Sequence, residues 1–91
     1  MNKEKKLLFF YGTGCDQCLD SEKNVDTLIS EGFDIEKIEV WNNKENYKLL
    51  EEVDNREDEC GGIPFFLNQM TGGKLCGESS YEKIKSWAKG E

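Results

Sequence analysis

An α/β domain, a four-stranded mixed sheet with helices on both faces in the order βαβαββα, is the architecture this sequence predicts. Three observations carry it. Short apolar runs of strand length alternate with longer stretches whose apolar residues recur at helical spacing. Two late runs flank Thr71-Gly72-Gly73 and read as a hairpin, so antiparallel strands join a βαβ unit whose crossover is right-handed. The 91 residues leave room for one modest core, so residues 1–91 are taken as a single domain.

The elements are justified in chain order. Leu7-Leu8-Phe9-Phe10-Tyr11 is unbroken and apolar, as expected of a strand buried on both faces. Gly12 and Gly14 end it in a turn that passes close to whatever the next residues meet. From Asp16 the spacing is helical, with Cys18, Val25, Leu28 and Ile29 on one face and Gly32 as the stop. Asp16, Asp20 and Glu22 place acid near the positive end of that helix.

Phe33 to Trp41 reads as the second strand, with a phase slip between Ile35 and Ile38 that predicts a late start or a bulge. Asn42 and Glu45 resemble a capping box for a second helix, with Tyr47, Leu50 and Val53 sharing a face. The acidic residues from Glu51 to Glu59 read as a solvated surface. Pro64, unable to donate to a ladder, opens the third strand, Phe65 to Leu67. A short fourth strand covers Lys74 to Cys76. Ser79 and Glu82 resemble another capping box, and Tyr81, Ile84, Trp87 and Ala88 give the last helix its apolar face. Tyr47, Trp87, Phe65 and Phe66 are expected in the core, and Trp41 in the core or at a groove rim.

Charge and cysteine usage narrow the function. Twelve basic against nineteen acidic side chains leave a net charge of -7, which disfavours nucleic acid and anionic membranes as partners. The apolar run after the basic segment Asn2 to Lys6 is too short for a secretory signal, and no run approaches membrane-span length. A cytoplasmic location is therefore expected. In that compartment four cysteines suggest catalysis or metal binding more than a stapling framework. The absence of histidine removes imidazole acid–base catalysis and mixed Cys/His metal sites.

Chemistry concentrates at Gly14-Cys15-Asp16-Gln17-Cys18. A strand, a glycine turn and two cysteines at a helix start bring both thiols to one point. Unpaired N–H groups and the helix dipole favour a thiolate at Cys15, and Cys18 lies one turn on, within reach of a mixed disulfide. That pattern suits dithiol–disulfide exchange. Rival readings are a metal-binding or metal-delivery module using all four cysteines, and an interaction domain without turnover. For Cys60 and Cys76 three roles stay open: inert buried thiols, a second redox pair, or metal ligands beside the first pair.

The chain resembles the thioredoxin-fold family, especially its small thioredoxin-like and glutaredoxin-like disulfide oxidoreductases. The resemblance rests on Cys15-Asp16-Gln17-Cys18 after the first strand, Gly62-Ile63-Pro64 before the third, and Gly77 after the fourth. It implies Cys15 as nucleophile, Cys18 as resolving thiol, and a cis Pro64. It also implies substrate contacts from Gly14, Asp16, Gln17, Ile63, Pro64 and Gly77. No cofactor and no metal are implied. The implied partners are protein or small-molecule disulfides, with an electron-donating reductase or low-molecular-weight thiol, and a monomer is the expected state. Gly14 stands where thioredoxins usually carry Trp, and Asp16-Gln17 where they carry Gly-Pro. An acid beside Cys15 opposes thiolate formation, so a less acidic thiol and a more reducing couple are expected than in strongly oxidising members.

Overall fold

The computed structural model describes residues 7–53, 63–77 and 79–90. They form strand β1 (Leu7–Tyr11), helix α1 (Asp16–Ser30), strand β2 (Ile35–Glu39), helix α2 (Lys44–Val53), strands β3 (Phe65–Asn68) and β4 (Lys74–Cys76), and helix α3 (Tyr81–Lys89). The strands make one mixed sheet in the order β2-β1-β3-β4. β1 runs parallel to β2 and antiparallel to β3, and β3 is antiparallel to β4.

Strand alternation divides the core into two layers. Leu7 and Phe9 leave one face of β1 and pack with Ile35, Phe66, Val25, Leu28, Ile84, Trp87 and Ala88, so α1 and α3 cover that side. Leu8 and Phe10 leave the other face and pack with Ile38, Val40, Phe65 and Leu50, so α2 covers the opposite side. Phe9 and Phe10 are both fully buried. Phe9 stacks on Phe66 at 4.9 Å, and Phe66 meets Trp87 edge to face at 5.3 Å, which carries ring contact from the sheet into α3.

The apparent phase slip in β2 has a simple cause. Pairing with β1 is unbroken from Leu7–Ile35 to Tyr11–Glu39, without a bulge, and the strand begins late at Ile35. Ile35 belongs to the layer under α1 and α3, whereas Ile38 belongs to the layer under α2. Between them Lys37 reaches Glu22 at 3.0 Å and Asp26 at 2.9 Å on α1, closing an outer edge. Such exposed pairs contribute little stability.

α1 buries Cys18, Ser21, Val25 and Leu28, a stripe at alternating spacings of three and four. Ile29, expected on that stripe, is 38% exposed because it falls beside the stripe's edge. Tyr47, expected in the core, is 48% exposed; Leu50 alone of the described α2 side chains is fully withdrawn. The side chain of Val53 lies outside the described residues. At both expected capping boxes the capping residue falls one position later, and it caps through its own side chain. Asn43 Oδ1 accepts the Asn46 N–H at 3.1 Å, and Ser80 Oγ accepts the Lys83 N–H at 3.3 Å.

Asn68 extends β3 by one residue beyond the expected Leu67 and is fully buried. Its amide donates to the Trp87 carbonyl at 3.1 Å, and its Oδ1 accepts the Met70 N–H at 2.9 Å. The hairpin turn and the end of α3 are thus joined through one side chain. Because Phe66 bridges the sheet to α3, Phe66→Ala is expected to lower unfolding free energy by about 3–5 kcal/mol, read from urea denaturation followed by circular dichroism.

Candidate functional site

Three turns meet at the end of the sheet where β1 finishes. Phe65 pairs with Phe10 on one side and with Cys76 on the other. The register therefore brings the exit of β1, the entry to β3 at Pro64 and the exit of β4 to one end.

The first turn carries Cys15 and Cys18. Cys15 is the N-cap of α1, with extended backbone angles of -82° and 108°. Its Sγ accepts the Cys18 N–H at 3.1 Å, a bond that satisfies an orphan donor of the helix start. The two residues form a disulfide, with Cα atoms 5.2 Å apart. Cys15 keeps 7% of its surface exposed and Cys18 only 1%. Gly14 is exposed with φ of 95°, and Asp16 is an exposed first residue of α1. The side chain of Gln17 lies outside the described residues.

The second turn is Ile63-Pro64, joined by a cis peptide bond, with Pro64 buried and Ile63 half-buried. The third is Gly77, whose N–H donates to the Pro64 carbonyl at 2.9 Å. Its φ of 77° suits glycine and few other residues. Beyond it, Ser79 N–H donates to the buried Ser21 Oγ at 3.2 Å, and Asn24 Nδ2 donates to the Ser79 carbonyl at 3.2 Å. These bonds fasten the third turn to α1 one turn past Cys18. Ser79 thus serves α1, which is why the cap of α3 falls on Ser80.

A residue absent from the sequence-based set organises the first turn. The Glu39 carboxylate accepts N–H bonds from Thr13 at 2.9 Å, Trp41 at 3.2 Å and Asn42 at 2.8 Å. It therefore ties the turn before Cys15 to the loop after β2. Partial desolvation acts to raise its pKa, but the donors on Thr13, Asn42 and Trp41 outweigh it and hold the carboxyl below its ordinary range. A glutamate at a strand end carries no sequence signal for this role, since its donors come from two separate loops.

Gly12 shows how closely that loop approaches. A Cβ there would stand 2.7 Å from Cγ of Trp41 and 2.7 Å from Cδ1 of Ile63. Trp41 thus lies against the backbone just before Cys15 while remaining 55% exposed, a groove rim and not core.

Cys76 is disulfide-bonded. Cys60 lies outside the described residues, together with most of the expected acidic surface. Among the described residues, no group of three or more Cys, Asp or Glu side chains is placed to hold a metal ion. No described helix is long and apolar enough to cross a membrane. The chain matches no family model, no curated protein and no solved structure.

The Glu39 bonds give a pH signature. A depressed folded-state pKa contributes stability that is complete above the unfolded value, about 4.3, and is lost as pH falls through the folded value. Glu39→Gln is therefore expected to lower the urea midpoint at pH 7, with the gap from wild type closing below about pH 4.

Proposed function

We propose that this chain is a dithiol–disulfide oxidoreductase built on a thioredoxin-like arrangement, with Cys15 and Cys18 as its working pair. The observation that carries this reading is one disulfide at the start of α1, joining the N-cap residue Cys15 to the more deeply buried Cys18 one turn on. The resemblance in Gly62-Ile63-Pro64 and Gly77 supports it, and the Ile63-Pro64 and Gly77 turns flank the same sheet end.

In the reduced form, the Cys15 thiolate attacks one sulfur of a substrate disulfide. The substrate S–S bond breaks, a mixed disulfide forms, and one substrate sulfur leaves as a thiolate. Cys18 then gives up its proton, which the departing substrate thiolate takes up, and attacks Cys15 Sγ. The second substrate thiolate leaves, and the Cys15–Cys18 disulfide closes. Two electrons have passed to the substrate, whose thiolates take up two protons. An external dithiol reductase or a low-molecular-weight thiol returns those electrons.

Three features of the chain support this order. A negative sulfur at Cys15 is stabilised by the Cys18 N–H and by the positive end of α1. Cys18, enclosed within the buried stripe of α1, is suited to an attack from inside. Asp16, beside Cys15, opposes the thiolate and favours a more reducing couple.

Cysteine substitutions separate the roles. With a model protein disulfide as substrate, Cys15→Ser is expected to abolish reduction. Cys18→Ser is expected to accumulate a covalent adduct whose mass equals protein plus substrate and which thiol reductant releases. No adduct with Cys18→Ser, together with a stoichiometric metal retained under reductant in wild type, would replace this reading with a metal site.

A further inference from the structure

Beside the cysteine turn lies an open groove of about 570 Å³ between the loop after β2 and the outer face of α2. Its lining includes Trp41, Asn43, Lys44, Tyr47, Lys48 and Glu51. Two features set it apart from the rest of the surface. Trp41 and Tyr47 both expose about half of their surface here, at 55% and 48%. Large rings left accessible at a concave site are typical anchors for a partner chain.

The second feature is the sign of the charge. Lys44 and Lys48 are four residues apart on α2 and therefore neighbours on one face. Neither makes an ion pair among the described residues, whereas Lys37 elsewhere is neutralised by Glu22 and Asp26. Among the described lining residues the groove thus presents two ammonium groups against one carboxylate, that of Glu51, with the Glu39 carboxylate behind it taken up by backbone N–H groups, on a chain whose net charge is -7. Local and global charge have opposite signs. The overall charge disfavours a strongly acidic partner, so an acidic segment is accepted here and repelled over most of the remaining surface.

Position connects the groove to the chemistry. Trp41 rests on Gly12 next to Ile63, and the Gly12 carbonyl accepts the Cys15 N–H at 3.1 Å. The aromatic wall of the groove and the cysteine turn are therefore parts of one continuous surface. We propose that this groove docks an extended acidic segment, carrying an aromatic or aliphatic side chain, that flanks the reactive cysteine of a protein substrate. The rings hold the apolar side chain, and Lys44 and Lys48 hold the carboxylates. The proposal rests on the redox reading for the fate of the docked chain, and on the groove alone for binding.

Two synthetic peptides test it, each closed by one disulfide and identical except for one flank, Asp/Glu-rich with a Phe in one and Lys-rich with a Phe in the other. At low salt the acidic peptide is expected to show a KM about tenfold below that of the lysine peptide, with similar kcat. The preference should shrink as salt is raised and vanish in Lys44→Glu/Lys48→Glu. Equal KM for the two peptides, or a preference that survives the double substitution, would overturn the proposal.

Binding is read separately, by titrating tryptophan fluorescence with versions of both peptides in which serine replaces each cysteine. A tenfold preference in Kd without turnover of either disulfide peptide, or of hydroxyethyl disulfide, would overturn the redox reading and leave the docking site standing. Turnover of hydroxyethyl disulfide with no fluorescence preference would do the reverse.

Discussion

Phe9 and Phe10 are adjacent, leave β1 on opposite faces, and are both fully buried. A strand with that property requires cover on each side, because either face left open would return a phenyl ring to water at a cost of about 1.5–3 kcal/mol. This requirement places β1 centrally, with β2 and β3 as its hydrogen-bonded neighbours. It also divides the helices, α1 and α3 against the Phe9 layer and α2 against the Phe10 layer. The strand's C-terminal end is then held at a fixed point. The residues after Tyr11 are presented there, and they form the turn leading to Cys15.

That turn is held in place from three directions. Its Cys15 Sγ is fixed by the start of α1, through the Cys18 N–H. Its Thr13 N–H is fixed by Glu39 at the end of the neighbouring strand. Its Gly12 backbone is roofed by Trp41 and Ile63. On the far side, the Gly77 turn is bonded both to Pro64 and, through Ser79, to Ser21 on α1. Preorganisation of this kind matters for exchange chemistry because the entering, central and leaving sulfurs must line up, and a mobile turn would add an ordering cost to each attack.

Much of this is legible in the sequence because it rests on local, strongly patterned signals. The apolar run Leu7 to Tyr11, the Thr71-Gly72-Gly73 turn and the cysteines at a helix start all state their structure within a few residues. Differences arise where the deciding partner is distant in the chain. Ser79 and Ser80 are equivalent as capping residues until Ser21 and Asn24 engage the first of them. Asn42 and Asn43 are equivalent until Glu39 takes the Asn42 N–H. Glu39 itself reads as an ordinary edge glutamate, since its donors belong to two loops brought together only by β1–β2 pairing. Tyr47 has helical spacing with Leu50, yet periodicity does not state how wide a stripe the sheet can cover, and Leu50 suffices.

The exposure of Tyr47 and Trp41 is best understood alongside Glu39. Trp41 lies two residues beyond the end of β2, and its own N–H is one of the donors to the Glu39 carboxylate. The indole is therefore fixed at its backbone while its ring stays accessible, an arrangement that lowers the ordering cost of contact with a partner. The disulfide and the exposed rings thus lie on different elements, the start of α1 and the loop between β2 and α2 with its following helix. One carboxylate joins them: the Thr13 N–H on one of its sides belongs to the cysteine turn, and the Trp41 and Asn42 N–H groups on the other belong to the groove. A displacement of the Trp41 backbone would therefore act on the same hydrogen-bonded unit that holds the turn before Cys15.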